Sequence, residues 1–130
     1  MTVPFADIEA MDRAVRADLF YGRDAVVHGD AEFWTLPPLI GEQRVGDCED
    51  WMRWTVSRFL AAGVDRVSLA YAICETPARE GHAVALVHSA EHGWVTCGDT
   101  AGPPAPVNAT PYRWLAWMQL SRKGEWRKWA

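Results

Sequence analysis

The apolar positions of this 130-residue chain change period along its length. Over residues 4–20 a charged stretch carries Phe5, Ile8, Met11, Val15 and Leu19 at three- and four-residue steps. That spacing predicts an amphipathic helix with one side turned to a core, as a lid or flank. The same period returns after residue 47, where Cys48, Trp51, Met52, Thr55, Val56, Phe59 and Leu60 form one stripe. Asp47 is the natural N-cap of this second helix and Gly63 its C′ residue. Residues 21–45 have no period. Gly22, Gly29, Pro37-Pro38 and Gly41 interrupt them, yet Phe33, Trp34, Leu36, Leu39 and Ile40 bring too much apolar surface for disorder. A long shaped loop leading into the cysteine is expected.

Beyond Gly63 the period falls to two. Strands are expected over residues 64–74 (Val67, Leu69, Tyr71, Ile73), 81–88, 94–98 and 113–120, with a return through Trp126 and Trp129. Pro77 marks one loop, and Gly102-Pro103-Pro104 with Pro106 marks a break. Helices followed by an antiparallel sheet predict an α+β fold, and 130 residues suit one domain over 1–130.

Charge and cysteine count narrow the function. The formal charge is −4, and Lys and Arg are dispersed except for Arg122, Lys123, Arg127 and Lys128, so no electrostatic footprint for nucleic acid is present. Asp7, Glu9, Asp12, Arg13, Arg16 and Asp18 interleave the first apolar positions, so neither a signal peptide nor a membrane span is expected. An odd count of three cysteines argues against a disulfide framework and for a reducing, cytoplasmic compartment.

The stretch Gly46-Asp47-Cys48-Glu49-Asp50 sets a thiol at a helix start, where the dipole and free N–H groups favour an anionic sulfur. Cys48 is therefore a candidate nucleophile, although a lone cysteine near a helix start is more often a small buried apolar residue. Three flanking carboxylates repel a thiolate, so an imidazolium, an arginine or a bound cation must offset them. If the strands around residues 89–92 form a hairpin, residues whose numbers sum to about 181 face each other, and His82 opposes Asp99. Asp99 could then hold the imidazole with its other nitrogen toward a nucleophile, while a one-residue slip would separate them. His28, His88 and His92 read as surface or structural residues. Cys74, Cys97, His82 and His88 lack the spacing of a zinc site.

Gly46-Asp47-Cys48-Glu49-Asp50-Trp51, then Gly81-His82-Ala83-Val84-Ala85-Leu86-Val87, then Asp99 resemble the bacterial transglutaminase-like cysteine peptidases, a branch of the papain-like fold. Upstream, Asp12-Arg13-Ala14-Val15 through Tyr21 and Asp24, and Phe33-Trp34-Thr35-Leu36-Pro37, resemble that family's opening helix and its approach to the cysteine. The resemblance implies Cys48 as nucleophile, His82 as general base and Asp99 as the residue that orients it. It implies the Cys48 N–H as one oxyanion donor, with Gln43 or Trp34 as the second. Some members bind calcium beside the nucleophile, at positions matched by Asp47 and Glu49; no cofactor is otherwise required. Thr96-Cys97-Gly98-Asp99-Thr100 departs from the family's hydrophobic strand ending in Asp-Asn. The compact, signal-free form suggests a phage or prophage setting, and hence a virion component.

Three functions fit. The first is a thiol hydrolase acting on a peptide or isopeptide bond of a protein or peptide, including a peptidoglycan peptide. The second is transglutaminase-type acyl transfer to an amine. The third is a non-enzymatic interaction protein retaining the fold, such as a phage tail component assembled into a larger particle. Trp114, Trp117, Trp126 and Trp129 bear on the third, as core, as a substrate platform or as an oligomer contact, with core the favoured reading.

Overall fold

The computed structural model describes residues 2–20 and 48–129. Two helices, α1 (Phe5–Phe20) and α2 (Cys48–Ala61), precede five strands: β1 (Leu69–Glu75), β2 (Gly81–Ser89), β3 (Gly93–Cys97), β4 (Arg113–Gln119) and β5 (Arg127–Lys128). The strands form one antiparallel sheet in the order β3-β2-β1-β4-β5. The architecture is α+β, as the change of period predicts.

Alternation along the strands divides the interior in two. Leu69, Tyr71 and Ile73 of β1 with Ala83, Ala85 and Val87 of β2 join Ile8, Met52, Val56 and Phe59 of the helices in one core. Burying each of those larger side chains stabilises the fold by about 1.5–3 kcal/mol. Ala70, Ala72 and Leu86 belong to a second cluster, packed by Trp94, Trp114, Trp117 and Trp129. The tryptophans touch each other through tilted and edge contacts at 5.5–5.9 Å. Three of the four C-terminal tryptophans thus pack on this second cluster, whereas Trp126 packs on the first.

The start of α1 is tied to the β2–β3 turn. Val3 bridges Ser89, its N–H donating to the His88 carbonyl at 2.9 Å, and the Glu91 carboxylate accepts the Phe5 N–H at 2.9 Å. One strand starts later than its pattern suggests. Residues Arg66–Ser68 form a 3-10 turn capped by the Asp65 carboxylate, which accepts the Val67 N–H at 3.3 Å, so Val67 is 40% exposed rather than part of the apolar face. The local Asp cap prevails over the alternating pattern there. Among the described residues no helix is long and apolar enough to cross a membrane.

Candidate active site

Cys48 opens α2 and is 6% exposed. The backbone N–H of Ala83, in β2, donates to its Sγ at 3.4 Å. One residue earlier, His82 places Nε2 at 2.8 Å from Asp99 Oδ1. Burial disfavours a charged ring at this place, but the hydrogen bonds and charges of Asp99 and Cys48 outweigh it and raise His82 from 6.5 to about 9. The structure therefore brings Cys48, His82 and Asp99 together.

The route by which Asp99 arrives differs from the expected pairing. The β2–β3 register is Ala85↔Cys97 and Ser89↔Gly93, so paired residue numbers sum to 182, not 181. The connection has three residues, 90–92, and enters β3 through Gly93 at φ 68°. An odd loop length makes the sum even. Continued straight, β3 would offer residue 100 to His82 and turn Asp99 to the other face. The strand instead stops at Cys97, and Gly98 at φ 65° swings the chain out of the sheet. A Cβ at Gly98 would stand 1.9 Å from Thr55 Oγ1, so glycine allows the turn to lie directly on α2.

Tyr112, which sequence patterning missed, completes the surroundings of the acid. Its hydroxyl donates to Asp99 Oδ2 at 2.7 Å, and its ring lies 5.1 Å from that of His82. The Ala101 N–H donates to Asp99 Oδ1 at 2.9 Å. Burial opposes the Asp99 carboxylate, yet His82, the Ala101 N–H and the Tyr112 hydroxyl together hold its carboxyl below the usual 3.8. Burial, followed by donation to Asp99, pushes the Tyr112 hydroxyl up. The only sequence signal for Tyr112 is an aromatic just before β4, which does not distinguish it from the neighbouring tryptophans. A cavity of about 320 Å³ borders Asp99 and Tyr112, with Pro103, Pro111, Ala101 and Ala105 among its walls.

The acidic flanks find two of the offsets that the sequence requires. His82, when protonated, supplies a cation beside Asp99, and Arg53 lies 3.5 Å from Asp50. Burial raises the Glu49 carboxyl, with Arg53 opposing and Asp50 adding to the shift. Asp47, Gln43 and Trp34 lie outside the described residues, as does His28. No group of three or more His, Cys, Asp or Glu side chains that could hold a metal ion forms among the described residues. His88 stacks on Trp94 at 5.0 Å and His92 meets Phe5 edge-on at 5.0 Å.

The helix α2 thus opens on a buried cysteine and packs on an antiparallel sheet that carries His82 and leads to Asp99 beside it. The chain belongs to the bacterial transglutaminase-like cysteine proteinases, whose family model matches residues 3–130. No curated protein and no solved structure matches it. The family sets the chain among cysteine proteinases.

Proposed function

We propose that the protein is a thiol hydrolase that cleaves peptide or isopeptide amide bonds through Cys48, His82 and Asp99. The observation that carries this reading is the buried His82 ring, joined to Asp99 at 2.8 Å through Nε2, with the N–H of the next residue, Ala83, on Cys48 Sγ at 3.4 Å. With Nε2 committed to Asp99, Nδ1 is the nitrogen for the sulfur. The Cys48 thiolate attacks the carbonyl carbon, and the oxyanion meets the Cys48 N–H at the start of α2, with Gln43 or Trp34 as the second donor. The C–N bond then breaks as His82 passes its proton to the leaving amine, which leaves a thioester on Cys48. Water attacks the thioester while His82 takes its proton, and the carboxylic acid and free thiol are released. No step requires calcium in this reading.

Incubation with a library of unstructured peptides, read by mass spectrometry for new amino termini, tests the assignment. Cleavage is expected with the natural protein and not with Cys48→Ala. Cleavage that persists in Cys48→Ala contradicts it, and incorporation of an added amine in preference to water indicates acyl transfer.

A further inference from the structure

We propose that Asp12 and Arg16 of α1 are positioning residues, a clamp that fixes the turn presenting Asp99 and ties it to the helix bearing Cys48. The inference rests on the Cys48-His82-Asp99 reading above. Because residues 98–102 leave the sheet at Gly98, their backbone polar groups have no strand partner and must be satisfied elsewhere. Asp12 and Arg16 meet three of them. Asp12 Oδ1 accepts the Gly98 N–H at 2.8 Å, and Asp12 is only 4% exposed. Arg16 Nη2 donates to the Asp99 carbonyl at 2.7 Å and to the Gly102 carbonyl.

The two side chains are themselves joined, Arg16 Nε to Asp12 Oδ2 at 2.7 Å across one helical turn. The fork is therefore aligned before it reaches the turn. The Arg16 guanidinium also lies 5.5 Å from the ring centre of Trp51, three residues after Cys48. One arginine thus touches both the nucleophile helix and two carbonyls of the turn, those of Asp99 and Gly102, while Asp12 holds the Gly98 N–H just before the acid. A side chain that only fastened α1 to the core would contact the sheet, whereas these contacts end on Gly98, Asp99 and Gly102, in the turn that carries the acid. Small displacements of a catalytic group have large kinetic effects, which gives such a clamp a function. Lysine would keep the charge but not the fork.

The test compares Arg16→Met and Arg16→Lys with Val15→Ala, a substitution at a fully buried core position of the same helix. Three quantities are read: the melting temperature, the His82 titration midpoint by NMR of labelled histidine, and the rate of Cys48 alkylation by iodoacetamide at pH 7. Arg16→Met is expected to lower the His82 midpoint by roughly a unit or more, toward its ordinary value, as the hold on Asp99 loosens. Alkylation should slow about tenfold, with Arg16→Lys between the two, while Val15→Ala lowers only the melting temperature. Should Arg16→Met prevent folding, Asp12→Asn, which keeps an acceptor for Gly98, is expected to shift His82 in the same direction by less. A lowered melting temperature with the wild-type midpoint and rate, in whichever variant folds, overturns the clamp. Cys48 alkylation that is also unchanged in His82→Ala instead defeats the underlying triad reading.

Discussion

Three thiols are buried in this molecule, and the surroundings of Cys48 differ in kind from those of Cys74 and Cys97. Cys97 lies at the end of β3 with its Sγ 3.6 Å from the Ile8 carbonyl, and Cys74 lies in β1 directly across the ladder from His82. Burial holds both as thiols. The nearby charges of Asp99 and Cys48 push Cys74 further up, and that of Asp12 does so for Cys97 against Arg16 and the Gly98 N–H. Cys48 is nearly as buried, but it starts a helix, receives the Ala83 N–H and is among the groups that raise His82. The contrast teaches that burial alone silences a thiol and that a neighbouring cation and donor are what equip one for chemistry.

The largest effect should come from removing that cation. His82→Ala is expected to reduce peptide hydrolysis by about 10²–10⁴-fold, the range for a general acid–base group. Iodoacetamide labelling of Cys48 should fall toward that of the other two thiols. Equal hydrolysis in the variant would erase the distinction drawn between the thiols.

Next in size is the turn that delivers Asp99. Gly98→Ala adds a Cβ where φ is 65° and where Thr55 Oγ1 is 1.9 Å away. A loss of about 2–5 kcal/mol is expected from the left-handed backbone and the overpacking together, measured by urea denaturation. Adding Thr55→Ala should return part of it, because the two sites are in contact.

The pH dependence of stability comes third. His82 is raised from 6.5 to about 9, so its contribution is fully present below pH 6.5 and is lost as pH rises through 9. That loss amounts to at most about 3 kcal/mol, and His82→Gln should flatten it in unfolding curves taken across that window. Asp99 has the opposite sign. Its carboxyl is held below 3.8, so its contribution is present above that value and lost as pH falls through the lower folded one.

The smallest effect is expected at Tyr112. Tyr112→Phe keeps the ring beside His82 and removes only the 2.7 Å bond to Asp99 Oδ2. Hydrolysis should fall about tenfold, and stability by about 1.5 kcal/mol, as for loss of one hydrogen bond to a charged group. Unchanged kinetics would remove Tyr112 from the site.

Much of this was legible in the chain because periodicity reports which face is buried. Both helices, the alternation of Leu69, Tyr71 and Ile73, and the return through the C-terminal tryptophans follow from spacing alone. What was not legible depends on single dihedrals and on distant partners. The three-residue β2–β3 turn moved the register by one, and a positive φ at Gly98 reversed the consequence for Asp99. A local Asp65 cap kept Val67 out of β1. Tyr112 is 13 residues from Asp99, and Arg16 is 83 residues from it. Neither lies in a motif that points at the acid, so only the folded arrangement joins them. The acids beside Cys48 were legible as a charge problem, and His82 and Arg53 are the parts of its solution among the described residues.

The central claim is tested most directly by mapping which thiols react in the folded protein. A limiting amount of iodoacetamide near neutral pH, followed by peptide mass spectrometry, should find the label on Cys48 with Cys74 and Cys97 unmodified, and this selectivity should disappear in His82→Ala. Equal labelling of the three cysteines, or selective labelling of Cys48 that survives the loss of His82, would contradict the account.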